Sequence, residues 1–155
     1  MSEYKKRHYT DTLPYALHLT AKYYRALAIQ IINEKENELT FDEIIALDTI
    51  SENASICQRD LAKLILKDRA NTGRLVENLE KKGFIERYND TKNNRLVKKL
   101  KIADKGENKL IEVSKKFDKA QLIFTDIISD EEADKIMKKL TEIRNNINKI
   151  LNMQI

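Results

Sequence analysis

The chain is poor in the residues that cross-link a fold or mark its turns. Its 155 residues include one cysteine, one proline, three glycines and no tryptophan. Because glycine and proline mark sharp turns, their scarcity predicts a mainly helical protein. A single cysteine excludes a disulfide within the chain, which fits a reducing compartment. No apolar run reaches 18 residues and the polar start carries no signal-peptide pattern, so we expect a cytoplasmic protein with no membrane partner.

Motifs that support catalysis or cofactor binding are also missing. The sequence contains no nucleophile elbow, no glycine-rich phosphate loop and no HExxH helix. His8, His18 and Cys57 do not have the spacing of metal ligands. We therefore expect no catalytic residue, no metal and no cofactor.

Positive charge is concentrated in the middle of the chain. Residues 57–105 hold 14 lysines and arginines against 7 acidic residues, whereas residues 1–56 hold 6 against 9 and residues 106–155 hold 9 against 9. The whole-chain net charge of +4 therefore comes from one segment. Such a segment suits contact with phosphate, although a modestly basic surface without any partner has the same charge.

Two helices are predicted at the start of this basic segment. The first covers about residues 58–66 and is short. The second begins after Asp68, the expected N-cap, and ends at Gly83, where a left-handed backbone is least strained. Residues 58–82 therefore have the pattern of a helix-turn-helix.

A β-hairpin is predicted directly after the second helix. A strand over about residues 84–88 leads into a loop of turn-forming residues at 89–94, and a second strand returns over 95–102. A hairpin after a helix-turn-helix is a wing, so residues 39–105 are predicted to form a winged helix-turn-helix core with its wing at 84–102. Modules of this kind dock on DNA.

Amphipathic helices flank the winged core. Apolar residues recur at three- and four-residue steps over about residues 12–33. A capping-box pair, Thr40 and Glu43, predicts the start of the next helix, and a second pair, Ser129 and Glu132, predicts the start of the last one. The fold class is thus mainly α, with one domain spanning the chain.

Each of the last two helices carries an apolar seam about two heptads long. The seams consist of Leu110, Val113, Phe117, Ala120, Phe124 and Ile127, and of Ile136, Leu140, Ile143, Ile147 and Ile150. A single winged domain does not need so much apolar helix, so we expect residues 1–33 and 106–155 to form the interface of a homodimer. A helical hairpin that packs on the winged core of its own chain is the alternative.

The second helix of the helix-turn-helix has two distinct faces. Thr72, Leu75, Val76 and Leu79 recur on one side and are expected in the core. The other side should meet the major groove, where arginine suits guanine and asparagine suits adenine. The candidate DNA-binding residues of the helix-turn-helix are Gln58, Arg69, Ala70, Asn71, Gly73, Arg74 and Asn78. The alternative is that these are ordinary solvated residues.

Gly73 is unusual because a glycine inside a helix is about 1 kcal/mol less favourable than alanine. We interpret it as a position where the helix backbone approaches DNA closely.

The wing carries a second group of candidate DNA-binding residues. These are Arg87, Lys92, Asn93, Asn94 and Arg95. The cations Lys92 and Arg95 can enter the minor groove, where narrow A·T tracts concentrate negative potential. Asp90 is expected to hold Arg95 or Arg87 in place. The alternative is a flexible hairpin whose charges are incidental.

Residues 58–62 (QRDLA), 71–76 (NTGRLV), 79–87 (LEKKGFIER) and 128–132 (ISDEE) carry a resemblance to a known family. Over nearly its full length the chain resembles the MarR family of bacterial and archaeal regulators. The resemblance implies a winged-helix homodimer that binds a pseudo-palindromic DNA operator, often as a repressor, and that a small ligand or an oxidant releases. By position, Arg74 matches the family's recognition-helix arginine and Arg95 its wing-tip arginine.

The chain departs from the family pattern at three positions. Lys92 stands where arginine is usual and Asn93 where aspartate is common. Ala103 replaces the threonine that caps the fifth helix, and Asp104 is a candidate to replace that cap.

Two sensing roles are conceivable. Tyr15, His18, Lys22, Tyr23 and Arg25 could line a pocket for a small anionic or aromatic effector. Alternatively, they are packing residues of a dimer interface.

Cys57 precedes the first helix of the helix-turn-helix at an N-cap position, where a thiol could sense oxidants. Alternatively, it is a small, half-buried residue with no such role.

The predicted function is that of a sequence-specific DNA-binding transcriptional regulator, a homodimeric repressor. The alternative is a winged-helix protein-interaction module without sequence-specific DNA binding. The lysines and arginines along the second helix and the wing favour DNA.

Overall fold

The computed structural model describes residues 8–33 and 36–151. Residues 1–7 and 152–155, which belong to the two predicted dimerisation segments, therefore lie outside the described residues. Within that range the chain forms six α-helices and one antiparallel hairpin, which confirms the mainly α prediction. The elements are α1 (Leu13–Ile32), α2 (Phe41–Glu52), α3 (Gln58–Leu64), α4 (Arg69–Lys81), β1 (Ile85–Lys92), β2 (Arg95–Ile102), α5 (Asp104–Thr125) and α6 (Asp130–Ile150). The chain divides into two compact units, Met1–Phe41 and Asp42–Ile155.

The first unit contains α1, which the sequence predicted within one residue at each end. The Thr12 hydroxyl accepts the Tyr15 amide at 3.5 Å and Pro14 lies in the first turn, both of which favour a helix start. The helix ends at Asn33, whose φ of 49° is left-handed and therefore stops the helical ladder.

The core of the second unit lies within the winged region. The fully buried apolar side chains come from α2, α3, α4 and the hairpin, which therefore pack around one centre. They include Leu47, Ile50, Leu61, Val76, Leu79, Phe84, Ile85 and Leu100. Each such burial stabilises the fold by roughly 1.5–3 kcal/mol.

One buried charge joins two helices of this core. The Glu43 side chain is 3% exposed, and the Lys82 ammonium donates to both of its carboxylate oxygens at 3.0 Å. This pair joins α2 to the end of α4. The predicted capping box between Thr40 and Glu43 stays a prediction.

The two helices of the helix-turn-helix end in the same way but with different residues. After α4, the Phe84 amide donates to the Leu79 carbonyl and Gly83 has a φ of 78°, which is the predicted glycine-ended cap. After α3, the Lys67 amide donates to the Ala62 carbonyl at 3.0 Å, and the left-handed residue is Leu66, with a φ of 51°. The predicted extension of α3 to residue 66 is therefore wrong, because the backbone turns left-handed at a position where no glycine marks it.

The predicted six-residue wing loop is also wrong. Strands β1 and β2 pair from Ile85 with Ile102 out to Lys92 with Arg95, which leaves only Asn93 and Asn94 in the turn. Both asparagines have positive φ, at 51° and 58°. Two left-handed residues make a type I′ turn, whose twist matches that of the strands, and asparagine tolerates that conformation well.

The start of α5 packs closely against the end of α4. The predicted cap by Asp104 is wrong, because the N-cap is Ala103, which has no side-chain acceptor, and Asp104 is already helical. Lys105 instead serves the neighbouring helix, since its ammonium donates to the Lys82 carbonyl at 2.8 Å. A Cβ on Gly106 would lie 2.3 Å from the Phe84 carbonyl oxygen, so this position requires glycine.

The last two helices differ in burial, since α5 buries Val113 and Ala120 of its seam whereas α6 buries no residue. The predicted capping box of Ser129 and Glu132 at the start of α6 is confirmed. However, α5 ends at Thr125, so Ile127 lies outside the helix on which its seam was predicted. All of α6 is described, and none of its residues is buried.

None of the helices in the described part of the chain is long and apolar enough to cross a membrane.

Candidate nucleic-acid interface

Helix α4 starts at a well-formed cap. The Asp68 carboxylate accepts the Asn71 backbone amide at 2.8 Å and the Asn71 side-chain amide at 2.5 Å. These hydrogen bonds hold the pKa of Asp68 below its ordinary value. The cap therefore stabilises the fold fully above the unfolded-state pKa, and this contribution is lost as the pH falls through the lowered folded-state pKa. Asn71, a predicted reader of adenine, has its side chain engaged in this cap.

The predicted division of α4 into two faces is confirmed. Of the four residues predicted for the core face, Thr72, Val76 and Leu79 are 0% exposed, and Leu75 is half-buried. The exposed residues on the opposite side and its flanks are Ala70, Asn71, Arg74, Glu77, Asn78 and Lys81. The helix therefore turns a polar surface, with Arg74 near its N-terminal half, towards the outside of the winged region.

The structure gives Gly73 a contact that the sequence did not indicate. A Cβ at this position would lie 3.2 Å from the side-chain nitrogen of Gln58 in α3. Gly73 therefore serves the packing of α3 against α4, and one flank of α4 is in contact with a candidate DNA-binding residue of α3.

The wing tip brings four candidate residues together. Lys92 ends β1 and faces Arg95 across the register, with Asn93 and Asn94 between them in the turn. Both cations are exposed, and a two-residue turn leaves them at the far end of the hairpin.

One face of the hairpin is turned towards α4. Side chains that pair across the register share a face, so Arg87, Asn89 and Thr91 lie on the same side as their partners Leu100, Lys98 and Leu96. Leu100 is buried, which identifies this as the inner face of the wing.

The inner face is joined to α4 by one ion pair. The Arg87 Nε lies 2.9 Å from the Glu80 carboxylate. Asp90 was expected to hold Arg87 or Arg95, but Arg87 is held by Glu80. The Asp90 carboxylate accepts the Thr91 amide at 2.8 Å, on the outer face of the same strand.

Two cavities lie along the flank of α4 that faces α3 and the wing. One, of about 350 Å³, is lined by Glu80, Arg87, Tyr88, Asn89 and Lys98. The other, of about 320 Å³, is lined by Gln58, Arg59 and Arg69.

The sequence reading missed Arg59 and Lys98 as site residues. The signal for Lys98 was the alternation along β2, which places it on the same face as buried Leu100. The signal for Arg59 was its position beside Gln58 in the first turn of α3.

Cys57 is the N-cap residue of α3, as predicted, and is partly exposed. Its Sγ lies 3.2 Å from the Asp60 carboxylate, to which the thiol donates. That hydrogen bond is the largest cause that holds the pKa of Asp60 below its ordinary value, with Arg59, Lys63 and Lys92 adding to it.

The five candidate pocket residues all lie on α1. Tyr15, His18, Lys22 and Arg25 follow steps of three and four residues and therefore share a stripe of the helix, whereas Tyr23 is rotated by about 100° from Lys22. Tyr15 packs edge-on against Tyr9, with ring centroids 5.6 Å apart.

Other contacts also use these α1 side chains. The Arg25 guanidinium lies 5.5 Å from the centre of the Phe41 ring. Whether the α1 stripe binds an effector stays a prediction. No cluster of metal-ligating side chains occurs within residues 8–33 and 36–151.

Comparison with known proteins identifies the family and the fold of the chain. A family model described as the MarR family matches residues 39–97. The uncharacterized HTH-type transcriptional regulator YybA of Bacillus subtilis (strain 168) is 32% identical over 124 residues, which cover 79% of this chain and 82% of that relative.

Solved structures agree with this similarity. The transcriptional regulator SlyA is 28% identical with a TM-score of 0.72, over 86% of this chain and 94% of SlyA. MepR of S. aureus, solved as a complex with DNA, has a TM-score of 0.73 over 90% of this chain and 99% of MepR. At 20% identity, the likeness to MepR shows the fold alone.

Proposed function

The chain belongs to the MarR family and is a DNA-binding transcriptional regulator, and we propose that it is a homodimeric repressor that binds a pseudo-palindromic operator. The observation that carries the proposal is the division of α4. Thr72, Val76 and Leu79 of its inner face are buried, while Arg74 is exposed on the opposite side. A helix held in this way can enter a major groove without disturbing the core.

The proposed docking places the N-terminal half of α4 in the major groove. Arg74 pairs with a guanine edge there, because a guanidinium matches the two acceptors of guanine. Ala70 provides a small apolar contact for a thymine methyl group. Arg69 and Asn71, at the start of the helix, lie where phosphates approach a helix N-terminus.

The wing extends the same interface. Lys92 and Arg95 are side by side at its tip, and the two-residue turn projects them beyond the body of the hairpin. We propose that they enter the adjacent minor groove, where the negative potential is strongest in narrow A·T tracts.

The homodimer is supported by the exposed apolar side chains of α5 and α6. Ile123 is 50% exposed, Ile147 50% and Ile150 82%, each on a helix that must otherwise hold these side chains in water. A two-fold dimer would present two α4 helices about 34 Å apart, which is one turn of DNA and which specifies an inverted repeat.

Relief of repression would use a small ligand or an oxidant. The α1 stripe of Tyr15, His18, Lys22 and Arg25 offers aromatic and cationic groups that suit an aromatic anion. Cys57 offers an oxidisable thiol at the start of α3, where an added negative charge would lie beside Asp60.

The test is selection of a binding site from random duplex DNA, followed by titration of the selected duplex at several salt concentrations. We expect an inverted repeat, and an affinity that falls steeply with salt because phosphate contacts release counterions. A protein that retains no sequence above the random pool would instead favour the winged-helix protein-interaction module and would contradict this proposal.

A further inference from the structure

The docking proposed above requires one DNA strand to pass between α4 and the wing. A helix in the major groove and a wing tip in the neighbouring minor groove are separated by the sugar–phosphate backbone that divides the two grooves. That backbone has to follow the flank of α4 that faces the wing. The residues on this flank therefore face phosphates.

The structure has a cleft on this flank. Its walls are the C-terminal half of α4, with Glu80, and the wing. The wing contributes Arg87, Asn89 and Lys98 from its inner face together with Tyr88. Lys98 is exposed and lies between Leu100, at the base of the wing, and Leu96, near its tip. Its ammonium can therefore reach a backbone that crosses the hairpin halfway along.

The cleft contains one acidic residue, Glu80, which would not favour the binding of a phosphate. The Glu80 side chain is 41% exposed, and its carboxylate lies 2.9 Å from the Nε of Arg87, a side chain that is 28% exposed. A carboxylate close to the sugar–phosphate backbone repels the DNA. At the same time it holds the guanidinium that would otherwise bind the phosphate.

We propose that the cleft between α4 and the wing binds a backbone phosphate of the operator, with Lys98 and Arg87 as its ligands and Glu80 as an internal competitor for Arg87. In the free protein Glu80 keeps Arg87 against α4. On binding, the guanidinium exchanges the carboxylate for the phosphate, so Glu80 lowers the affinity for every duplex equally. This inference deepens the proposed function and rests on it.

The first test compares three variants on a selected operator and on an unrelated duplex. Lys98→Ala should weaken binding to both duplexes by a similar factor and lower the salt slope by about one unit, as for one lost phosphate contact. Glu80→Gln should strengthen binding to both by roughly two- to fivefold, the scale of one exposed charge pair. Lys138→Ala, which removes the same charge from exposed α6, is the matched control and should change neither value.

The second test locates the contact on the DNA. Ethylation of individual phosphates should block binding of the native protein at the strand between the half-site's major groove and the flanking minor groove. In Lys98→Ala, interference at one of those phosphates should disappear while the rest of the pattern is kept. A pattern that Lys98→Ala leaves unchanged would overturn the proposal.

These results separate the inference from the function beneath it. Loss of specificity in Arg74→Ala together with unchanged affinity and salt slope in Lys98→Ala and Glu80→Gln would overturn only the cleft proposal. A native protein that binds no duplex would overturn the proposed function as well.

Thermal unfolding of the protein tests whether the cleft binds a free anion instead of a DNA duplex. The melting temperature should be equal in inorganic phosphate and in chloride at matched ionic strength. A rise in phosphate that Lys98→Ala abolishes would mean that the cleft takes a free anion, which would overturn the assignment to DNA.

Discussion

The winged region and the last two helices belong to one compact unit, but they use apolar residues in opposite ways. In the winged region a set of large side chains that includes Leu79, Phe84 and Leu100 is at most 2% exposed and forms a core. Along α6 no apolar position is buried, and Ile136 is 44% and Met137 64% exposed. The first region completes its own core, whereas the second carries an apolar surface that a single chain leaves uncovered.

Ion pairs show the same contrast. In the winged region some pairs join separate elements, as in Lys82 with Glu43 and Arg87 with Glu80, although Lys81 with Glu77 is a local pair within α4. On α6 they link residues three or four apart on one helix, as in Lys139 with Glu142. Local pairs of this kind contribute only about 0.3–0.5 kcal/mol and fix no tertiary arrangement. The difference suggests that the winged region is rigid in one chain and that α6 depends on a second copy.

The largest effect is expected from a charge on the α6 seam. Leu140→Glu should abolish the homodimer, because each buried apolar side chain stabilises an interface by roughly 1.5–3 kcal/mol and an unpaired carboxylate there opposes association. Operator binding should be lost with the dimer. Sedimentation velocity at micromolar protein measures the assembly directly.

Asn145→Glu is the matched control for this variant. It adds the same charge to the same helix on the side opposite the seam, and it should leave the dimer intact. A monomeric native chain that still binds an inverted repeat tightly would contradict the prediction that α6 forms a homodimer interface.

The second prediction concerns a long-range ion pair. Lys82→Met should lower the free energy of unfolding by about 2–3 kcal/mol, because it leaves the buried Glu43 carboxylate without the lysine cation. Glu43→Gln should have a smaller effect, about 1 kcal/mol, since Lys82 can turn towards solvent. Urea unfolding of both variants, with Lys139→Met on α6 as the local-pair control, checks the order. Equal effects at Lys82 and Lys139 would remove the contrast between the two regions.

Sequence reasoning succeeded where a residue type determines the local backbone. Asp68 at the start of α4, Gly83 at its end and the box of Ser129 with Glu132 each have a chemistry that suits one position in a helix, and all three were predicted. The same reasoning failed at Leu66, because a leucine gives no signal of the left-handed backbone that accompanies the hydrogen bond from the Lys67 amide to the Ala62 carbonyl.

The wing and the cleft show a second limit. A run of turn-forming residues from Asn89 to Asn94 indicates a turn but not its length, which depends on the register of both strands. Arg59, Lys98 and Glu80 became site residues only when the fold brought α3, β2 and α4 together. The alternation along β2 indicates the face on which Lys98 lies, but no local pattern indicates that this face meets Glu80 of α4.

The third prediction separates function from stability in the winged region. Arg74→Ala should lower the affinity for the selected operator by about 1–3 kcal/mol, if its guanidinium reads a base edge. Because Arg74 is exposed, its loss should leave unfolding and assembly unchanged. Fluorescence anisotropy with the operator and with an unrelated duplex measures both affinities, and Lys138→Ala controls for the lost charge. Equal loss on the two duplexes would make Arg74 a phosphate contact and not a base reader.

The smallest effect is expected at Leu66, where a substitution tests whether the winged region can be made more stable. Leu66 is left-handed yet 61% exposed, so its side chain gives little burial in return for the strain. A left-handed non-glycine residue costs about 1–2 kcal/mol, and glycine adds roughly 0.5–1 kcal/mol of unfolded-state freedom. Leu66→Gly should therefore stabilise the protein by about 0.5–1 kcal/mol in urea unfolding. Leu64→Gly, at a 57% exposed leucine in the last helical position of α3, should destabilise it by about 1 kcal/mol. If both variants were destabilised alike, the strain at Leu66 would have to be offset by contacts of its side chain, and the region would be better packed at this turn than its exposure indicates.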